Sequence, residues 1–191
     1  MSDPKHDVEL MQRVKGGDRA AFAELYEIHK GPLFSFLFRM AWDKSLADDC
    51  LQEVFIAVWK AAPTWEPTAQ VNTWIFRIAR NIWINEGRRA KRRPALFSFL
   101  GGGDEDQGMP DFPDDAAGPD DSALTTEARA AVRKAIDQLP EKERMVVLLS
   151  EFEGMKYAEI AEVLDIPVGT VKSRMSSASE RLRGLLRKFE G

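Results

Sequence analysis

The chain has 191 residues, 44% of them hydrophobic and 30% charged, an ordinary soluble composition with room for one medium or two small domains. Its single cysteine, Cys50, excludes an internal disulfide; no run reaches the roughly 18 apolar residues of a membrane span and MSDPKHDVEL has no signal-peptide core, so a cytoplasmic protein without membrane insertion is expected. The net charge of −4 speaks against nucleic acid only until it is divided: residues 71–93 carry seven Arg or Lys and one Glu (net +6), residues 101–122 eight Asp or Glu and no base (net −8), and residues 170–191 six bases and two acids (net +4).

Almost every segment reads as helix, with no convincing strand and no internal repeat. Asp7 to Lys15 is short, with Val8, Met11 and Val14 at helical spacing, and Gly16-Gly17 ends it. Asp18 is the expected N-cap of the next helix, whose apolar positions are Phe22, Leu25, Tyr26 and Ile28. Gly31-Pro32 predicts a break, with Pro32 opening a helix through Trp42 that is apolar nearly all round. Ser45-Leu-Ala-Asp48 has capping-box spacing and opens a helix to about Ala61. Its buried arc is Leu46, Cys50, Leu51, Val54, Phe55 and Val58. The opposite arc holds Asp48, Asp49, Gln52 and Glu53, with Ile56 near its centre and Trp59 at its edge. An acidic face around an apolar anchor suits protein docking; a tolerated surface isoleucine fits the periodicity equally well.

The two prolines of residues 62–72 predict a loop that exposes or docks Trp65, with Asn72 or Thr73 capping the helix that follows. On that helix Ile75, Phe76, Ile78, Ala79, Ile82 and Trp83 share a buried arc. Arg77, Arg80, Asn81, Asn85 and Arg88 share the other, with Trp74 among them. Trp74, Asn81 and Asn85 stand at i, i+7, i+11. Arginine suits phosphate, asparagine suits base edges, and an exposed indole can stack on an unpaired base. A solvated charged face with one misplaced tryptophan is the plain alternative.

After Arg93-Pro94 the pattern collapses into a short apolar run, residues 95–100, that either docks on the first domain or meets a partner. A Gly-, Pro- and Asp-rich stretch follows. Helices then run to Gln138, from Pro140 to before Gly154, from Tyr157 to Leu164, and from Thr170 to about Phe189. The last two, joined by Asp165-Ile-Pro-Val-Gly169, have helix-turn-helix spacing. Ile160, Ala161 and Leu164 face inward, Ile166 plugs the turn, and Val171 anchors the second helix. Thr170 is the expected cap, aiming that helix N-terminus at a phosphate. Lys172, Ser173, Ser176, Ser177 and Glu180 form its outer arc, flanked by Arg174, Arg181 and Arg183.

With these faces in hand, the chain resembles bacterial sigma factors of the extracytoplasmic-function (ECF, sigma-70) group, the minimal type with only the second and fourth conserved regions. The resemblance rests on Gly17-Asp18 with Ala21-Phe22 and Leu25-Tyr26; Asp48-Asp49 with Leu51-Gln52-Glu53-Val54-Phe55 and Val58-Trp59; Thr73-Trp74-Ile75 with Arg77-Ile78-Ala79 and Asn81; Leu139-Pro140; Tyr157-Ala-Glu-Ile-Ala; and Val168-Gly-Thr-Val-Lys-Ser-Arg174. These motifs occur in order over nearly the whole chain apart from the acidic stretch.

The resemblance implies that Asp48, Asp49, Gln52, Glu53, Ile56 and Trp59 meet the β′ clamp helices of core RNA polymerase. It further implies that the following helix and loop open the promoter −10 element and capture a flipped base. Trp65, Trp74, Asn81 and Asn85 would then serve the base, and Arg77, Arg80 and Arg88 the phosphates. For the −35 duplex the implied contacts are Thr170, Lys172, Ser173, Arg174, Ser176, Ser177 and Arg181, with the second domain also docking on the β flap. An anti-sigma factor is an expected partner. One departure is that Ser176, Ser177 and Ser179 stand where the family usually carries His or Arg, so fewer phosphate contacts and a shallower salt dependence are expected.

The expected fold is all-α: two small helical domains, 1–94 and 122–191, joined by a flexible acidic linker, 95–121, the second being a helix-turn-helix domain. No catalysis, metal or cofactor is expected. His6 and His29 lack metal spacing, and Gly101-Gly-Gly103 lies in the linker without a following lysine. The alternative function is a sigma-like decoy that sequesters an anti-sigma factor without binding promoters.

Overall fold

A computed structural model describes residues 3–92 and 126–187, without the side chains of 89–92 and 126–127. The expected linker, the apolar run 95–100, the domain limits and the helix end near Phe189 fall outside the described residues. Within them every regular element is helical.

Helix α1 (Pro4–Lys15) starts at Asp3, whose carboxylate accepts from the Lys5 N–H at 3.0 Å, and Gly17 ends it with a φ of 86° that a side chain would resist. Asp18 caps α2 (Arg19–Ala41) by accepting from the N–H groups of Ala20 and Ala21 at 2.9 and 3.1 Å. Those bonds, the Ala21 N–H first and the Arg13 guanidinium next, hold the Asp18 carboxyl below its ordinary range.

The predicted break at Gly31-Pro32 is absent, and α2 runs straight through Pro32. A proline there leaves the Ile28 carbonyl without its donor and costs about 3 kcal/mol. Burial of Leu25, Leu33, Phe36 and Leu37 on both sides of it offsets that cost, so the core overrides the local signal. His29 and Asp7, both almost fully buried, approach to 3.4 Å and tie α2 to α1.

Helix α3 (Lys44–Ala61) begins one residue before Ser45. Its cap is Asp43, which accepts from the Leu46 N–H at 3.0 Å, so the Ser45 capping box is not the one used. A 3-10 turn (Ala62–Thr64) leads to α4 (Val71–Arg92), whose first turn already contains Asn72 and Thr73 rather than being capped by them. Val71, Ile75, Phe76 and Ala79 pack α4 into the α1–α3 core, where the Phe76 ring meets Phe36 edge-on.

The second unit comprises α5 (Thr126–Asp137), α6 (Glu141–Val147) with a wide π-type turn over Leu148–Phe152, α7 (Tyr157–Leu164) and α8 (Val168–Leu186). Glu159 accepts from the Lys156 N–H at 2.7 Å and starts α7. Asp165 ends it in the left-handed region at φ 53°. Because α8 begins at Val168, Thr170 lies inside its first turn and is not its cap; the Thr170 N–H already bonds the Pro167 carbonyl. The two units are packed together. One apolar cluster runs from Leu10 and Phe36 through Ile75 to Leu148 and Ile160.

Candidate nucleic-acid and partner interfaces

The outer face of α3 has an apolar centre. Ile56 is 54% exposed, while Val54, Phe55 and Val58 beside it are buried. Asp49, Gln52 and Glu53 are exposed around it and Asp48 is half-buried. Trp59 is half-buried at the edge, its ring 5.0 Å from Phe22 in an edge-on contact, which fixes the indole as part of the wall.

On α4, Arg77, Asn81, Asn85 and Arg88 are exposed. Three other predicted members of that face are placed differently. Trp65 is 4% exposed and packed in the core, and its carbonyl accepts from Lys15 Nζ at 2.9 Å, so it offers no stacking surface. Trp74 is half-buried against the core cluster. Arg80 is half-buried too: one guanidinium nitrogen donates to Asn81 Oδ1 and the other to the Leu164 carbonyl, both at 2.9 Å.

Trp83 packs half-buried against the apolar cluster, and its indole N–H also reaches across to the Glu141 carboxylate at 2.8 Å. Periodicity placed it on an apolar arc correctly but had no means of saying that the arc's neighbour is another domain. Arg39, Arg133 and Arg144 also escaped notice for that reason. Glu153, next to Phe152 at the same seam, is pushed up by burial to about 7, with the Arg39 charge opposing the rise.

The helix-turn-helix forms as spaced. Ile160, Ala161, Val163 and Leu164 are buried on α7, and Val171 and Ala178 on α8. Lys172, Ser173, Ser176 and Ser177 are exposed, and Arg174 is half-buried. Arg181 is exposed and pairs with Glu143 at 3.1 Å. Lys172, Ser176, Ser179 and Arg183 line an open groove of about 460 Å³ with Tyr157 and Met175. No group of three potential metal ligands occurs among the described residues, and none of their helices is long and apolar enough to cross a membrane.

A sigma-70 region 2 model matches residues 25–93 and a sigma-70 region 4 model matches residues 129–182. The ECF RNA polymerase sigma factor SigW of Bacillus subtilis is 32% identical over 177 residues, 93% of this chain and 95% of the relative. RpoE of Cereibacter sphaeroides, named as the same type of factor, is 35% identical over 184 residues, 95% of this chain and 96% of the relative. The chain belongs to the ECF sigma factors. Two solved structures share the fold of this sigma factor. CnrH in complex with the cytosolic domain of CnrY has a TM-score of 0.69 at 23% identity, covering 96% of this chain and 98% of that one. The sigma factor RpoE with the anti-sigma factor NepR from Bartonella quintana has a TM-score of 0.69 at 22% identity, covering 87% and 96%. The region 2 match of this chain takes in the α3 and α4 faces, and its region 4 match takes in the helix-turn-helix.

Proposed function

We propose that this protein is a promoter-recognition subunit: it binds core RNA polymerase, directs it to specific promoters and initiates transcription, with no catalysis of its own and a place in the cytoplasm. The observation that carries this is the presence, on one chain, of two separate nucleic-acid-type faces, the exposed Arg77–Asn81–Asn85–Arg88 row of α4 and the α7–α8 helix-turn-helix. Asp49, Gln52, Glu53 and Ile56 on α3, bordered by Asp48 and Trp59, form the polymerase-docking face on the β′ clamp helices. Asn81 and Asn85 take base edges of the −10 element, Arg77 and Arg88 take phosphates, and Trp74 shapes the base pocket from its half-buried place. Lys172, Ser173, Ser176 and Ser177, with Arg174, read the −35 duplex, and the second domain also docks on the β flap. An anti-sigma factor is the expected protein regulator, in keeping with the NepR complex of the Bartonella relative.

The domain limits proposed are 1–94 for the polymerase- and −10-binding unit and 122–191 for the −35-binding unit. Run-off transcription with purified core polymerase and a promoter library tests the reading. Promoter-specific initiation is expected. Tight anti-sigma binding with no promoter-dependent product would sink it in favour of a decoy.

A further inference from the structure

Several cations of this chain hold the seam between the two units. The Arg39 guanidinium lies 4.3 Å from the centre of the Phe152 ring, that of Arg133 lies 4.7 Å from the Trp42 ring, and Arg144 donates to the Met40 carbonyl at 3.1 Å. Lys15 works elsewhere, within the first unit. It is the last residue of α1, and its amine donates to the Trp65 carbonyl at 2.9 Å.

The corner that carries Lys15 is fixed. The Gly17 N–H bonds the Val14 carbonyl at 2.8 Å, the Asp18 N–H bonds the Arg13 carbonyl at 3.1 Å, and the Arg13 guanidinium reaches the Asp18 carboxylate at 2.8 Å. The loop that Lys15 reaches is tied down at both ends. At its start the Trp65 N–H bonds the Ala62 carbonyl at 3.1 Å, and the indole is buried in the core. At its end the Gln70 carbonyl accepts from the Trp74 N–H at 3.0 Å, in the first turn of α4. Between them Pro67, with its fixed φ, centres a tight turn in which the Thr68 N–H bonds the Glu66 carbonyl at 2.8 Å. Those bonds do not set the peptide plane that joins Trp65 to Glu66. The Lys15 amine sets it, through a directional, charge-assisted bond.

That plane decides where the outward side chains of the loop project. Glu66, Thr68 and Gln70 are exposed and carry a carboxylate, a hydroxyl and an amide, groups that hydrogen-bond the edge of an unstacked base. The loop runs directly into Asn72 and Trp74, both half-buried at the start of α4. A recognition frame must be held to about 0.5 Å by bonds behind the groups that touch the ligand. Lys15 stands in that supporting place.

We propose that Lys15 is a positioning residue for −10 recognition: from α1 it pins the 65–70 loop, so that base choice at the captured position depends on a side chain that does not itself contact DNA. This deepens, and rests on, the reading of α4 and the loop before it as the −10 element.

The test compares Lys15→Met, which keeps most of the length and loses the donor, with Lys15→Arg, which keeps a donor and the charge. Hydrogen exchange on the free full-length chain reads the pin itself. Lys15→Met should speed exchange of the amides of 65–70 at least threefold, with circular dichroism and melting temperature kept. Unchanged exchange there overturns the pin. On the holoenzyme, a fully randomised pool of short single-stranded DNA is captured and sequenced, and the preferred sequence and its single-base variants are titrated. In Lys15→Met the affinity ratio between the preferred base and its worst substitute at one position should fall at least fivefold. Affinity for core polymerase should stay within twofold of the parent, and Lys15→Arg should restore the ratio to within twofold. Equal weakening on every sequence, with a shallower salt dependence, overturns the proposal in favour of a phosphate contact. Loss of polymerase binding in step with DNA binding overturns it in favour of a general structural role. A parent holoenzyme that selects no sequence from the pool defeats the −10 reading itself, a failure distinct from that of the pin, which the exchange data report.

Discussion

Arg80 and Asn81 are neighbours in sequence and differ in what they are placed to do. Arg80 bridges to the second domain, while Asn81 is exposed and accepts one of the Arg80 bonds. A base-edge contact by an asparagine is worth about 1–3 kcal/mol. Asn81→Ala is therefore expected to slow open-complex formation about tenfold while leaving affinity for core polymerase within about twofold. Equal losses in a permanganate-footprinting assay and a polymerase-binding assay would contradict that division. Glu153 makes a different kind of prediction. Its ordinary value of 4.5 is raised to about 7 by burial, so the folded state holds this proton more tightly than the unfolded chain does. Its contribution to stability is fully present below pH 4.5 and is lost as pH rises toward 7. Glu153→Gln, which cannot ionise, should gain on the order of 1–2 kcal/mol over the parent at pH 8.5, after discounting for partial exposure, and much less at pH 5. Urea titrations at the two pH values check the sign.

At the scale of the element, the buried face of α3 and its proposed docking face lie on opposite sides of the helix. Ile56, at 54% exposure, contributes little to the core that its neighbours build. Ile56→Glu should leave the melting temperature nearly unchanged and weaken core-polymerase binding at least tenfold, the loss expected of a central interface anchor. A tenfold loss accompanied by a large drop in melting temperature would mean a structural role instead. The helices themselves were largely legible in the chain, because α3, α4, α7 and α8 each keep an apolar stripe at helical spacing. Their junctions were less so. Pro32 reads as a boundary because local propensity has no knowledge of the burial of Leu33, Phe36 and Leu37 around it. Ser45 and Thr170 read as caps because hydroxyls suit that place, yet Asp43 and the turn before Val168 reach it first. Trp65 and Trp83 were harder still. An indole in a proline-rich loop can point either way, and an indole on an apolar arc can serve its own core or a neighbour's.

The whole molecule differs from two beads on a string because its apolar cluster crosses the seam, joining Leu37 and Phe76 of the first unit to Leu149 and Ile160 of the second. Sequence patterning marks each unit's core but not their sum, since the arginines that align the units look like ordinary surface charge when taken one at a time. Two units that share buried surface unfold together as long as their interface free energy is comparable with the stability of the weaker one. The parent chain is therefore expected to give one calorimetric transition, with calorimetric and van't Hoff enthalpies agreeing. Arg133→Ala with Glu141→Ala removes one cation–π contact and one charge-assisted hydrogen bond, together about 2–3 kcal/mol in a partly desolvated seam. That loss should uncouple the units, giving a broadened or divided transition whose van't Hoff enthalpy falls below the calorimetric one. Two separate transitions in the parent itself would show that the shared cluster does not couple the domains, and a sharp single transition in the variant would assign the coupling to the apolar contacts rather than to the arginines.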